Sequence, residues 1–309
     1  MLVPQATIRE VGPRDGLQNE PEVVATADKV KLINRLARCG LQRIEVTSFV
    51  RADVIPQLAD ARDVLEGIDV PEGVARSVLV PNSRGLDHAL ELREHFEEIG
   101  VFLSASETHN MRNVNRSVGA SIDSLRRVIA RAREAGLRVE AVIATSFGCP
   151  YEGHVSMSRV LEIAVQLAAA GAEEIAFGDT TGMANPLQVH EHFEVAAATL
   201  GPGVQLTAHF HNTRGTALAN VYSALQAGCT SFESSVGEIG GCPVPPGSTG
   251  NLATEDLVGM LHEMTVHTGV DLDALVDTAR DLQRLLGRRL SSHTLVAGPI
   301  DWRTGDAAP

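Results

Sequence analysis

The segments VQLTAHFH (204–211), NTRGTALANVYSALQAGC (212–229), TSFESS (230–235) and VGEIGGCPVPPGSTGN (236–251) follow one another without interruption. The first is a β-rich run. The second carries apolar residues at helical spacing from Thr216 to Ala227 and closes on Gly228, a residue suited to a left-handed helix C-cap. The third is again short and β-rich, so the stretch reads strand, helix, strand. The fourth is too rich in Gly and Pro to be either and is expected to be a loop. Residues two apart in a strand point to the same face, so His209 and His211 project to one side. Two paired imidazoles followed by a cysteine-bearing loop suggest a metal site beneath a lid; a solvated strand face is the plainer alternative.

The same alternation extends outward through the chain. Strands are expected at Thr7–Val11, Arg43–Thr47, Ala75–Val80, Gly100–Ser104, Arg138–Thr145, Glu174–Phe177, Val204–His211 and Ser231–Ser235. Between them lie helical patterns such as Lys29–Cys39, Ile122–Ala135, Met157–Ala169 and Leu187–Ala197. Eight strand–helix units fit a (β/α)8 TIM barrel, an α/β fold, better than an open doubly wound sheet. The open sheet would want a glycine-rich phosphate turn after the first strand, where the chain instead reads Gly12-Pro13-Arg14-Asp15-Gly16. Two further helical stretches, Thr254–His267 and Asp271–Leu286, predict extra C-terminal helices. The chain is thus expected to be one domain over residues 1–309, with the barrel at about 6–250 and the extension at about 254–290.

Composition narrows the function. The 309 residues carry a formal charge of −13, against a nucleic-acid or anionic-membrane partner. No apolar run reaches the ~18 residues a membrane span needs, and the N-terminus lacks a signal-peptide pattern. The four cysteines show no CxxC spacing; a cytoplasmic location and burial of Cys39, Cys149 and Cys229 as small hydrophobes are expected.

Polar groups gather just beyond the predicted strands, at the end of the sheet where barrel enzymes place their sites. Asp15, on the exit of the first strand, can complete a site with His209 and His211, although PRDG is also a good turn by itself. Asn251 adds a neutral oxygen ligand or caps its loop. Arg14 would stabilise a developing oxyanion, or else pair with Glu45 or Asp179. Cys242 on the lid could donate or accept a proton. Glu45 and Asp179 would orient Arg14 or the waters of a metal.

GPRDGLQNE at 12–20, IEVTSFV at 44–50, GDTTGMANP at 178–186, HFHNTRGTALAN at 209–220 and GGCPVPPGSTGNLATEDLV at 240–258 appear in order. With these the chain resembles the 3-hydroxy-3-methylglutaryl-CoA lyase family over roughly residues 6–290, within a metal-dependent lyase and synthase superfamily. The resemblance implies a carbon–carbon lyase that releases acetyl-CoA and acetoacetate, the family being tied to leucine degradation and ketone-body formation. It implies Asp15, His209, His211 and Asn251 as ligands of a divalent metal; these suit Mg²⁺ or Mn²⁺, and Zn²⁺ is compatible. It further implies Arg14 as the enolate stabiliser, Cys242 as the catalytic thiol, Glu45 and Asp179 in support, an acyl-CoA substrate, and a homodimer or higher homo-oligomer. Glu238, Val244 and Asn212 depart from the family's usual residues. They leave open a related substrate, such as citramalyl-CoA or a longer branched 3-hydroxyglutaryl-CoA. An acetyl-CoA-condensing 2-oxo acid synthase is the further alternative, disfavoured by the lid cysteine.

Overall fold

The computed structural model describes residues 3–241 and 250–302. Eight strands, β1 (Thr7–Glu10), β2 (Arg43–Ser48), β3 (Ala75–Leu79), β4 (Glu98–Ser104), β5 (Arg138–Ala144), β6 (Glu174–Asp179), β7 (Gln205–Phe210) and β8 (Ser231–Ser234), close into a barrel in sequence order. Every pairing is parallel, and the seam is closed by Thr7 opposite Ser231 through Glu10 opposite Ser234. The predicted (β/α)8 barrel is therefore the fold observed.

The strand faces divide by chemistry. Ile8, Ile44, Ile99, Ile175, Phe177 and Phe232 are buried under the ring of helices; each such side chain contributes roughly 1.5–3 kcal/mol by leaving water. Charged residues at alternate positions meet one another inside the barrel. Arg9 and Arg43 bond to Glu98 and Glu174 there, replacing the branched apolar layers common in this fold.

Boundaries move by one or two residues for most strands. β4 begins at Glu98 rather than Gly100, because Glu98 is held by Arg9, Arg43 and Arg138 and is a buried strand residue despite its charge. Four short helices are added, at Ala61–Gly67, Ser83–Leu90, Glu107–Val114 and His293–Ala297. The second and third start on side-chain caps, Asn82 to the Gly85 amide (3.1 Å) and Ser106 to the His109 amide (3.1 Å).

Helix Thr254–Glu263 follows β8 and packs against Ala217–Gln226, and Leu272–Leu286 packs against Thr26–Arg38. Backbone bonds tie the intervening turns to the barrel: Ala6 N to His267 O (2.9 Å) and Asp271 N to Cys39 O (2.7 Å). The C-terminal helices are thus stitched to the start of the chain. Among the described residues no helix is long and apolar enough to cross a membrane. Cys39, Cys149 and Cys229 are buried free thiols, as expected.

Candidate active site

Beyond β1 the chain turns tightly through Gly12–Gly16, with the Asp15 amide bonding to Val11 O at 2.7 Å. This turn carries Arg14 and Asp15 over the mouth of the barrel. Arg14 is clamped on two sides, Nε donating to Glu45 Oε2 (2.6 Å) and Nη1 to Asp15 Oδ1 (2.8 Å). Gln18 also donates to Asp15 Oδ1, at 2.8 Å. Glu45 is thus brought against Arg14. Asp179 Oδ1 accepts from the Met183 amide (2.7 Å) and the Ala184 amide (3.1 Å), while Arg14 is bonded to Glu45 and Asp15.

His209 lies in β7 and His211 just past its end. The returning chain runs alongside, with His211 bridged to Asn251, Asn212 N bonding to Gly250 O (3.1 Å) and Leu252 N to Phe210 O (2.9 Å). Asn251 is thereby set beside the histidines, and its Nδ2 donates to Asp15 Oδ2 at 2.7 Å. Asp15, His209 and His211 each offer a ligand atom within 4.8 Å of the others. The four predicted ligands are brought together.

These residues fit a divalent cation on their own chemistry. The Nε2 atoms of His209 and His211 face each other at 3.1 Å, while His209 Nδ1 lies 2.9 Å from Glu233 Oε2. With its proton on Nδ1 toward that carboxylate, His209 turns the Nε2 lone pair into the cluster. The Oδ1 atom of Asn251 is buried without a hydrogen-bond partner, an arrangement that costs free energy unless something compensates it. One carboxylate, two imidazoles and one amide oxygen suit Mg²⁺ or Mn²⁺ and are compatible with Zn²⁺.

Electrostatics agree with the geometry. Burial alone would raise the Asp15 pKa, but Arg14, both histidines and the Asn251 hydrogen bond outweigh it and hold Asp15 below the ordinary carboxylate range. Burial opposes charge on His209, yet the Glu233 hydrogen bond and the Glu233 and Asp15 charges raise it net. Burial pushes Glu45 up, with Arg14 opposing, and drives Asp179 up to about 6 against its two backbone hydrogen bonds.

Above the cluster, the base of the cysteine loop is clamped. Gly241 pairs with Gly250, and the Gly241 carbonyl accepts from Asn19 Nδ2 at 2.7 Å. A Cβ on Gly250 would sit 1.9 Å from Glu238 O, and Gly240 takes a φ of +85° with its Cα face against Asp15 O and Gly16. Only glycine lets these backbones approach so closely. Cys242 lies outside the described residues. To one side, a cavity of about 830 Å³ is bounded by Ser48 and Phe102 and by Arg51, Arg84 and Arg116.

Sequence reasoning missed Glu233, the partner of His209, and two buried carboxyls that support the loop. Glu10 accepts from the Gly12 and Val236 amides (2.7 and 2.9 Å), and Glu255 accepts from the Gly237 amide at 3.0 Å. The signal available for Glu233 was its place two residues before Ser235, on an inward-facing position of a barrel strand next to His209.

A family model described as HMGL-like matches residues 5–282. The chain belongs to the hydroxymethylglutaryl-CoA lyase family. It is 49% identical to hydroxymethylglutaryl-CoA lyase YngG of Bacillus subtilis over 94% of this chain and 96% of that protein. It is 40% identical to the 3-hydroxy-3-isohexenylglutaryl-CoA/hydroxy-methylglutaryl-CoA lyase of Pseudomonas aeruginosa, over 93% of this chain and 95% of the relative. Among solved structures, the HMG-CoA lyase of Acinetobacter baumannii in complex with coenzyme A and 3-methylmalate superposes with a TM-score of 0.92 at 39% identity, covering 99% of this chain and 98% of that one.

Proposed function

We propose that this member of the HMG-CoA lyase family cleaves 3-hydroxy-3-methylglutaryl-CoA to acetyl-CoA and acetoacetate at the Asp15–His209–His211–Asn251 cluster. One observation carries the reading: a fixed guanidinium, Arg14, abuts a carboxylate–imidazole–imidazole set that fits a divalent metal. A cation held by Asp15, His209, His211 and Asn251 would supply Lewis-acid polarisation of the substrate's C3 hydroxyl.

The chain's own groups account for the rest. The C3 hydroxyl loses its proton, the C2–C3 bond breaks, and C3–O becomes the ketone of acetoacetate. The bonding pair passes to C2 and onto the thioester oxygen. Arg14, held at Nε by Glu45 and at Nη1 by Asp15, is assigned to meet that charge. A preorganised donor of this kind contributes about 3–4 kcal/mol to the transition state. Cys242 then delivers a proton to C2, and its thiolate takes back the proton released from the C3 hydroxyl, so the overall reaction consumes none. The cavity bounded by Arg51, Arg84 and Arg116, with Asp53 and Glu91 also in its wall, is the place this reading assigns to the phosphates of the CoA thioester.

A longer 3-alkyl chain is a second reading, favoured by the dual name of the Pseudomonas relative. Purified protein supplied with Mn²⁺ and either 3-hydroxy-3-methylglutaryl-CoA or 3-hydroxy-3-isohexenylglutaryl-CoA separates them. A higher kcat/KM on the methyl substrate supports the first reading. A higher value on the isohexenyl substrate replaces it with the second, and turnover of neither overturns both.

A further inference from the structure

Beneath the proposed metal site the barrel is filled with charge. Arg9, only 2% exposed, reaches Glu98 Oε2 at 2.9 Å, Glu174 Oε2 at 3.4 Å and Glu233 Oε1 at 3.6 Å, and also contacts Glu140. Arg43 adds bonds to Glu98 and Glu174, both at 2.9 Å. Four buried carboxylates thus share two buried guanidiniums, with only the half-exposed Arg138 adding a third contact at Glu98 (2.9 Å). A buried carboxylate left short of compensation is strongly disfavoured in its charged form.

Glu98 and Glu174 each meet both arginines. Glu233 is different: its Oε1 has Arg9 at the edge of contact, and its Oε2 lies against His209 Nδ1 at 2.9 Å. Its charge is best met by a proton on Nδ1. That proton fixes the tautomer in which His209 Nε2, 3.1 Å from His211 Nε2, offers a lone pair to the cluster.

We propose that Glu233 is a positioning residue for the metal site: bridging Arg9 and His209, it holds the His209 ring and tautomer in the ligating state and ties metal affinity to the charge layer inside the barrel. This rests on the reading of Asp15, His209 and His211 as metal ligands. The competing view is that Glu233 merely belongs to the ion-pair layer that holds the barrel together.

The two views separate on metal binding measured apart from turnover. Mn²⁺ titration of chelator-stripped protein, read by electron paramagnetic resonance, is expected to give a Kd raised 10–100-fold in Glu233→Gln, the range typical when a ligand's hydrogen-bond partner is lost. Thermal stability of the metal-free variant should be unchanged or higher, because one carboxylate is removed from an over-acidic layer. Glu140→Gln, which alters the same layer without touching His209, should stay within about threefold of the unsubstituted protein. An unchanged Kd in Glu233→Gln, or an equal loss in Glu140→Gln, overturns the proposal while leaving the metal site standing. Absence of Mn²⁺ binding by the unsubstituted protein overturns both. Should Glu233→Gln fail to fold, ¹⁵N spectra of histidine-labelled unsubstituted protein decide: His209 protonated on Nδ1 supports the proposal, and protonation on Nε2 overturns it.

Discussion

Glu255 makes the stability of this protein depend on pH in a way its surface charge would not suggest. Its carboxyl is fully buried and accepts two contacts from the Gly237 amide, at 3.0 and 3.1 Å. Burial pushes it up to about 8 from the ordinary 4.5, with the Gly237 hydrogen bond only partly opposing. The folded state therefore keeps a proton that the unfolded chain has released. Stability conferred by that proton is complete below pH 4.5 and falls as pH rises toward 8, then levels off. At about 1.4 kcal/mol per pH unit the full swing is on the order of 5 kcal/mol. Glu255→Gln mimics the neutral acid and removes the swing. The variant should match the unsubstituted protein near pH 5 and exceed it by about 3–5 kcal/mol near pH 9. Denaturant midpoints followed by circular dichroism at several pH values read this directly. Glu10, pushed up to about 7 by burial, contributes equally to both proteins and cancels in the difference. Curves that stay parallel from pH 5 to 9 would refute the reasoning, since they would mean that Glu255 titrates as an ordinary carboxyl.

Gly250→Ala must place a Cβ 1.9 Å from Glu238 O and displace the segment that carries Asn251; Mn²⁺ affinity should fall at least tenfold while the circular dichroism spectrum is kept. Arg14→Ala should lower kcat by about 10²–10³ with little change in KM, because the lost contact acts on charge that develops only in the transition state; a change confined to KM would deny Arg14 that role. Arg51→Ala and Arg84→Ala in the cavity wall should raise KM for the acyl-CoA several-fold and weaken its salt dependence, with kcat unchanged.

Much of this architecture was legible in the sequence because its signals are local. The period-2 and period-3.6 segments alternate eight times, and the polar groups at strand exits had to converge once the sheet closed. His209, His211, Asp15 and Asn251 meet for that reason, although 236 positions separate Asp15 from Asn251. The interior charge was not legible in the same way. A strand such as Arg43-Ile44-Glu45-Val46 reads as one apolar and one solvated face, whereas in a closed barrel the charged face is the inside. Nothing local marks Glu98, Glu174 and Glu233 as buried, because the arginine they share, Arg9, lies far away in sequence, 165 positions from Glu174 and farther still from Glu233. Asp179 was legible as a carboxylate at a strand end, but its commitment to the Met183 and Ala184 amides depends on the conformation of the following loop.

The central claim is metal-dependent carbon–carbon cleavage at the Asp15–His209–His211–Asn251 cluster. It is tested most directly by stripping the protein with chelator, adding back Mn²⁺, and quantifying both products from 3-hydroxy-3-methylglutaryl-CoA, beside Asp15→Asn. The prediction is that activity disappears on stripping and returns with Mn²⁺, that acetyl-CoA and acetoacetate form in equal amounts, and that Asp15→Asn recovers little. Cleavage that persists undiminished in the stripped protein, or that survives in Asp15→Asn, would contradict the account.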